Sequence, residues 1–186
     1  MAKPWEKYKP QPTQPAGQPW NKYAQQGMHS EANQIKSDEG VKDVSYLDSK
    51  GLLTGGIGNL LHNTPLAQKY PEGTKIPQQE IDAWFQEDVK TAVEDVNALF
   101  KGTQLPPEIE GVLVNMAFQM GRNRLAGFKN MVNAVKKGDW NEMAKEMLDS
   151  EWARKDSPNR ANRLHARVLQ YAKDSGTSDG TDGESQ

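Results

Sequence analysis

Residues 37–58 decide the fold, and they read SDEGVKDVSYLDSKGLLTGGIG. Glu39 stands directly before Gly40, an order typical of a helix end, because glycine readily adopts the left-handed conformation found there. Four more glycines lie among leucine and isoleucine residues at the end of the stretch, a pattern that favours short strands joined by tight turns. The stretch therefore predicts a short helix that ends at Gly40, followed by strands over residues 46–61.

Downstream of these strands, apolar residues recur at steps of three and four along residues 81–100. This spacing predicts one long amphipathic helix, which begins at Pro77 because the fixed φ of proline suits a first helical position. Shorter helices are predicted over residues 30–40, 106–121, 128–136, 140–148 and 159–172. The fold class is therefore α+β, with a small strand-bearing lobe and a larger helical lobe that the long helix joins. A cleft between two lobes is the expected place for a ligand.

The two ends of the chain differ in composition from this folded domain, which we place at residues 30–173. Residues 1–29 are rich in proline, glutamine and lysine, which is typical of extended, disordered segments. Within them, the motif PWEKY at residues 4–8 returns as PWNKY at residues 19–23. Aromatic residues in a segment without a core favour binding, so the repeat predicts paired docking sites. The alternative is a passive linker or an arm that lies on the catalytic domain. Residues 174–186 are mainly small and acidic, which predicts a disordered tail.

The composition excludes several kinds of site and partner. The chain of 186 residues has no cysteine, which excludes disulfides and thiolate metal sites. Its three histidines match no metal-ligand spacing, so we expect neither a metal nor a cofactor: His29, His62 and His165. The net charge of −2 disfavours non-specific binding to nucleic acid. No apolar run approaches the roughly 18 residues that a membrane-spanning helix needs.

Two carboxylic acids and one hydroxyl group in the opening stretch are candidates for chemistry. Asp48 follows Glu39 by nine residues, and Thr54 follows Asp48 by six. Hydrolysis of a glycosidic bond needs one protonated carboxyl group for the leaving oxygen and one ionised carboxylate to direct water or to attack. A helix end that faces a hairpin can hold three such side chains around one point. Because any acidic protein offers pairs at this spacing, solvent-exposed surface carboxylates remain the alternative.

Four blocks of sequence together resemble one known family. The first block is residues 37–58, which contain Glu-Gly, then Asp, then Thr-x-Gly-x-Gly. The second is the long helix over residues 76–99. The third is NMAFQMG at residues 115–121 followed by AGF at 126–128, and the fourth is Trp152 followed by SPNRA at residues 157–161. In this order they closely resemble the phage-type lysozymes, glycoside hydrolase family 24, over about residues 30–172. The resemblance implies the lysozyme-like fold and a peptidoglycan substrate.

The resemblance also implies a role for each matching residue. Glu39 matches the general acid, Asp48 the carboxylate that directs the water in an inverting reaction, and Thr54 its hydrogen-bonding partner. Room for that water implies carboxyl groups roughly 6.5–9.5 Å apart. Substrate-binding positions of the family are matched by Gly58, Phe118, Gln119 and Arg160, the last of which matches an arginine that pairs with the catalytic glutamate. The structural alternatives are a core position for Phe118, a solvated amide for Gln119 and a surface charge for Arg160.

The chain departs from the family pattern at two places. The family has a histidine after the last glycine of the turn, where this chain has Asn59, and that histidine pairs with an aspartate at the position of Asp88. Asn59 can still donate a hydrogen bond to Asp88 but forms no ion pair, so we expect stability to change more than chemistry. The loop before Ser157 is one residue longer than in the family, which leaves the placement of Arg160 open.

These features predict a muramidase, which hydrolyses the β-1,4 bond between N-acetylmuramic acid and N-acetylglucosamine in peptidoglycan. One alternative is a lytic transglycosylase, which needs one acid and no water-directing carboxylate, so Asp48 and Thr54 argue against it. The other is a virion structural or wall-binding protein with a degenerate lysozyme fold. The intact set of Glu39, Asp48 and Thr54 argues against that alternative.

The expected partners are a peptidoglycan strand and, through residues 1–29, a phage virion protein. We expect a monomer that binds no nucleic acid. The first 30 residues contain no apolar signal-peptide stretch, so the enzyme is expected in the host cytoplasm when it is made. Its substrate lies in the periplasmic cell wall, so another component must deliver it there.

Overall fold

The computed structural model describes residues 28–176. The repeated aromatic motif and most of the predicted tail therefore lie outside the described residues. The elements, in chain order, are α1 Met28–Glu39, β1 Lys42–Leu47, β2 Leu53–Gly56, β3 Asn59–Leu60, α2 Pro65–Lys69, α3 Gln78–Leu99, α4 Pro107–Ala126, α5 Lys129–Lys137, α6 Trp140–Leu148, a π-helical turn Trp152–Asp156, and α7 Pro158–Asp174. This mixture of helices with one small antiparallel sheet confirms the predicted α+β class.

The first of two compact units ends at Thr91 and contains the sheet. Helix α1 ends where the sequence predicts, because Gly40 has φ +72° and its N–H donates to the carbonyl of Lys36 at 3.2 Å. Ile35 on this helix is fully buried and anchors it in the unit. Glu39 is thereby the last helical residue, three residues before the sheet begins at Lys42.

The sheet has three antiparallel strands in the order β1, β2, β3. The prediction that strands begin at residue 46 was wrong, since β1 already begins at Lys42. The first residues of β1 lack apolar alternation, and their backbone is held by a partner distant in sequence. Ser45 N–H donates to the carbonyl of Thr74 at 2.9 Å, and Ile76 N–H donates to the carbonyl of Asp43 at 2.7 Å.

The long helix α3 confirms the periodicity prediction to within one residue at each end. Pro77 stands just before it, and its carbonyl accepts the N–H groups of Glu80 and Ile81. The apolar residues at steps of three and four form the buried face of the helix: Ile81, Trp84, Phe85, Val89, Ala92 and Val96. The boundary between the two units falls within this helix, after Thr91.

Helix α2 was not predicted, because five residues are too few to show a helical period. Its local cap explains why it forms. The hydroxyl of Thr64 accepts the N–H of Leu66 at 3.2 Å, and Pro65 occupies the first helical position.

The second unit, from Ala92 onward, contains helices and no strand among the described residues. Helix α4 is its centre, with Ile109, Val112 and Leu113 fully buried. The predicted end of this helix near Gly121 is only partly right. The backbone leaves the helical conformation there, with φ +72° and ψ 163°, and a last helical turn follows.

That last turn of α4 has its own anchor. The N–H of Arg122 donates to Oδ2 of Asp95 at 3.2 Å, so a carboxylate caps the turn where the helix restarts. The predicted helices over residues 128–136, 140–148 and 159–172 correspond to α5, α6 and α7, shifted by at most two residues. Within residues 28–176, no helix is long and apolar enough to cross a membrane.

Candidate active site

The three predicted catalytic side chains all lie in the first unit, on the segments that α1 and the sheet position. Glu39 ends α1 and is exposed to solvent. Asp48 directly follows β1 and is partly exposed, and Thr54 is the second residue of β2 and is buried. Because Tyr46 of β1 pairs with Thr54 in the sheet, Asp48 and Thr54 lie at the same end of the β1–β2 hairpin.

The carboxylate of Asp48 is held by the turn that follows it. Its Oδ1 atom accepts the backbone N–H of Lys50 at 2.8 Å and that of Leu52 at 2.9 Å. The backbone of the turn is closed by a bond of 2.9 Å from Gly51 N–H to the carbonyl of Asp48. The bond from Leu52 is the main cause that holds the pKa of the Asp48 carboxyl below its usual range. Desolvation is the next cause and opposes this effect, while the bond from Lys50 and then the charges of Lys50 and His62 lower the pKa further.

Thr54 shares a backbone partner with Asp48. The Thr54 hydroxyl donates to the carbonyl of Leu52 at 3.1 Å, and the same carbonyl accepts the N–H of Asp48 at 2.9 Å. Sequence reasoning missed Lys50 and Leu52, since they act through their backbone. The pattern Asp-x-x-Gly over residues 48–51 is a signal that could have found this turn, because aspartate side chains commonly accept backbone N–H groups two residues on.

Gly58 lies in the turn between β2 and β3, with φ +84°. A Cβ added at this position would meet no atom within 4 Å, so the positive φ and not crowding at Cβ favours glycine there. The following residue, Asn59, donates from Nδ2 to Oδ2 of Asp88 on α3 at 2.6 Å. This confirms the predicted donor role of Asn59, and the contact joins the hairpin to the long helix.

Phe118 and Gln119 lie in the second unit, on α4 just before its interruption at Gly121. The side chain of Gln119 is exposed, yet both ends of its amide have protein partners. Its Oε1 atom accepts the indole N–H of the buried Trp152 at 2.7 Å, and its Nε2 atom donates to Oγ of Ser157 at 2.5 Å. These bonds fix the orientation of the Gln119 amide within the helical unit.

Arg160 lies in the first turn of α7 and is buried, so the alternative of a surface charge is wrong. Residues 152–156 form a π-helical turn, in which Ser157 N–H donates to the carbonyl of Trp152 at 2.9 Å. A π turn holds one more residue than an α turn, and this turn leads directly into α7, on which Arg160 lies.

The chain matches known proteins over most of its length. The sequence model of the phage lysozyme family matches residues 36–167. Probable T4-type lysozyme 1 of Dictyostelium discoideum is 29% identical over 150 residues, which span 70% of this chain and 88% of that protein.

Two phage proteins are also similar. The pre-baseplate central spike protein Gp5 of Enterobacteria phage T4 is 29% identical over 159 residues, which are 75% of this chain and 28% of that protein. The SAR-endolysin of Escherichia phage P1 is 26% identical over 125 residues, which are 62% of this chain and 64% of that protein. The matched family segment contains every predicted site residue.

Proposed function

Because the chain belongs to the phage lysozyme family and is a lysozyme-type glycoside hydrolase of peptidoglycan, we propose that it is an inverting muramidase. The bond that it hydrolyses is the β-1,4 linkage between N-acetylmuramic acid and N-acetylglucosamine. The observation that carries the proposal is the shared backbone partner of Asp48 and Thr54. The backbone N–H and carbonyl of Leu52 hold a carboxylate and a hydroxyl group at one end of the sheet, and activation of water needs such a carboxylate.

In the proposed reaction, Glu39 is the general acid. Its carboxyl proton goes to the glycosidic oxygen as the bond from that oxygen to the anomeric carbon breaks. Asp48 is the general base, which takes a proton from water as the water oxygen bonds to the anomeric carbon from the opposite face. Solvent then restores the proton on Glu39 and removes the one on Asp48. The lowered pKa of Asp48 suits this assignment, since a base must be ionised before the reaction begins.

The sugar-binding part of the proposal rests on Gly58, Phe118, Gln119 and Arg160. The fixed amide of Gln119 supports its role, because a positioned group orients a ligand without first losing conformational freedom. The same reasoning applies to Arg160, which the fold buries at the start of α7.

A Glu39→Gln variant tests the catalytic assignment. Glutamine keeps the shape of the side chain but has no acidic proton, so lysis should fall by about 10²–10⁴-fold. Glu72→Gln, at an exposed turn residue of the same unit, is the matched control and should leave lysis unchanged. The measurement is the turbidity of chloroform-treated Gram-negative cells. Lysis by Glu39→Gln within threefold of wild type contradicts the proposal, and an anhydro product, one water lighter by mass spectrometry, indicates a transglycosylase.

Virion association is the further part of the proposal. A relative of this chain is named as a pre-baseplate central spike protein, and the PWxKY motif of residues 4–8 and 19–23 offers two similar docking sequences. Two linked contacts bind more tightly than one, because the second forms at high effective concentration. We therefore assign residues 1–29 to docking on a phage structural protein and residues 30–173 to the catalytic domain.

A further inference from the structure

Two side chains outside the proposed catalytic set belong to the surroundings of Asp48. Lys50 lies in the turn after β1, and His62 lies just after β3. They are the two residues whose positive charges help to lower the pKa of the Asp48 carboxyl. Because salt screens charges beyond about 10 Å, we take both side chains to be neighbours of the proposed base.

The sheet brings His62 to the same end of the first unit as Asp48. Leu53 of β2 pairs with Leu47 of β1, and its carbonyl accepts the N–H groups of both Leu61 and His62, at 2.8 and 3.0 Å. Two residues opposite one form a β-bulge, a feature that changes the direction of a side chain. Asp48 and His62 thus each lie one residue beyond the same row of the sheet, about 10 Å apart between their backbones.

The backbone after His62 holds it at this place. Asn63 has φ +59° and is the only residue other than glycine with a positive φ among residues 28–176. The N–H of Thr64 then donates to the carbonyl of Leu61 at 3.1 Å. His62 is partly buried between the bulge and this turn, so the fold fixes its position relative to the sheet.

Lys50 differs from the other lysines of residues 28–91, because its ammonium group has neither a carboxylate nor a ring as a partner there. The others each have one: Lys36, Lys69, Lys75 and Lys90 a carboxylate, and Lys42 the ring of Tyr46. The imidazole of His62 likewise has no hydrogen-bond or ion-pair partner among residues 28–176. A cation and an N–H donor beside Asp48 are therefore both available to a ligand.

The proposed substrate brings a negative charge to this place. N-acetylmuramic acid carries a lactyl group, which ends in a carboxylate in a bare glycan strand and in a stem peptide with its own carboxylates in the intact wall. Asp48 acts on the muramic acid residue in the proposed reaction, so such a carboxylate comes close to an ionised Asp48. Two like charges at short distance repel each other, and a nearby cation offsets that repulsion.

We propose that Lys50 and His62 are specificity-determining residues that bind a carboxylate of the muramic acid substituent, Lys50 through its charge and His62 through an imidazole N–H. This inference rests on the proposed function. Lysine binds carboxylates as a point charge, and imidazole keeps an N–H donor whether it is neutral or protonated. Neither residue takes part in breaking a bond, so both act on the affinity for substrate and on its selection.

The experiment compares Lys50→Gln with Lys75→Gln at pH 7. Lys75 is an exposed lysine of the same unit whose ammonium group lies 3.8 Å from Asp43. We measure kcat and KM on three soluble substrates: strands without peptides, strands with stem peptides, and peptide-bearing strands whose carboxyl groups are converted to amides. The usual pKa of aspartate is about 3.9, so Asp48 stays ionised at this pH when the charge of Lys50 is removed.

Lys50→Gln should raise KM about three- to fivefold on strands with free carboxylates, the effect of losing one exposed ion pair, with kcat within about twofold. Adding His62→Phe, which keeps a ring but removes the N–H, should raise KM further, to at least about tenfold above wild type. Lys50→Arg should keep the wild-type KM, and Lys75→Gln should leave it unchanged. On amidated strands all these variants should match the wild type.

The two unmodified substrates distinguish the source of the carboxylate. A KM that rises on strands without peptides assigns the lactyl carboxylate, and one that rises only on peptide-bearing strands assigns the stem peptide. If His62→Phe folds poorly, NMR of the Glu39→Gln enzyme replaces it. The ring protons of His62 should shift when peptide-bearing strands are added and should not shift with amidated strands.

An equal rise in KM on amidated strands, or an unchanged KM on all three substrates, overturns the inference. Slower lysis of intact walls with unchanged KM on every soluble strand also overturns it and indicates an anionic wall polymer as the ligand. These results leave the proposed function standing as long as Glu39→Gln and Asp48→Asn are inactive. Activity in either of those variants instead contradicts the proposed function, whatever the Lys50 variants do.

Discussion

The side-chain amide of Asn59 donates a hydrogen bond of 2.6 Å to Oδ2 of Asp88, which lies 29 residues later on the long helix α3. The other end of the same amide accepts the N–H of Ile57 at 3.3 Å. One neutral side chain thus closes the turn between β2 and β3 and joins that turn to the helix. The donor is a neutral amide, so the contact is a hydrogen bond and not an ion pair.

Replacing Asn59 by alanine should destabilise the protein without changing its chemistry. The variant loses the hydrogen bond to the Asp88 carboxylate and leaves the Ile57 N–H short of a partner, at a cost of about 1–3 kcal/mol. Urea unfolding followed by circular dichroism measures this loss. An unchanged unfolding free energy would show that water replaces the amide at no cost.

Replacing Asn59 by histidine should make stability depend on pH between about 5 and 8. A histidine beside the Asp88 carboxylate has a folded-state pKa raised above its unfolded value of about 6.5. The added stability is fully present below the unfolded pKa and is lost as pH rises through the folded pKa. Tm of Asn59→His minus that of wild type should therefore be larger at pH 5.5 than at pH 8. A constant difference across this range contradicts the proposed pairing.

Glu110 on α4 should limit stability at neutral pH. It is half-buried, and desolvation raises the pKa of its carboxyl above the usual value. The Glu110 carboxyl binds its proton more tightly in the folded protein than in the unfolded chain. The stability of the protein therefore falls as pH rises from the unfolded pKa of glutamate, about 4.3, through the folded pKa. Glu110→Gln should raise Tm at pH 7, and the gain should shrink toward pH 4. Glu108→Gln is a poor control because Glu108 pairs with Arg167 at 2.7 Å, so exposed Glu72→Gln serves instead.

The anomer of the first product tests the role of Asp48. If Asp48 contacts water and not carbon, no glycosyl-enzyme forms and the configuration inverts. Proton NMR during the first minutes of hydrolysis should then show the α-anomer from a β-linked substrate. An initial β-anomer means retention and requires a covalent role for Asp48.

Deleting residues 2–25 tests the docking assignment of the N-terminal segment. The cut ends before α1, which begins at Met28, so Tm and the lysis of permeabilised cells should stay close to wild type. Association with phage particles should be lost. A matched variant that changes only Trp5 and Trp20 to alanine should lose it as well. Truncated enzyme that still copurifies with virions, or full-length enzyme never found in them, rules the assignment out.

Local patterns were enough to predict the elements with a strong period or a clear end signal. Helix α3 and the end of α1 at Gly40 follow from apolar spacing and from one glycine. The start of β1 did not follow, because Lys42 and Asp43 have no apolar alternation and the strand is held by pairing with residues 73–76. The π-helical turn over residues 152–156 was likewise hidden, since it differs from an α turn only in its hydrogen bonds.

The sequence by itself determined the family, the candidate residues Glu39, Asp48 and Thr54, and the substitution of Asn59 for a histidine, because all of these are statements about residue types at given spacings. Only the tertiary structure decided which atoms of those residues form hydrogen bonds within the protein. The bonds from Lys50 and Leu52 to Asp48 come from backbone groups, which every residue except proline carries. Their direction depends on φ and ψ. The pattern Asp-x-x-Gly at residues 48–51 therefore indicates a turn, but only the structure shows that Lys50 and Leu52 both donate to Oδ1 of Asp48 and that the Thr54 hydroxyl donates to Leu52.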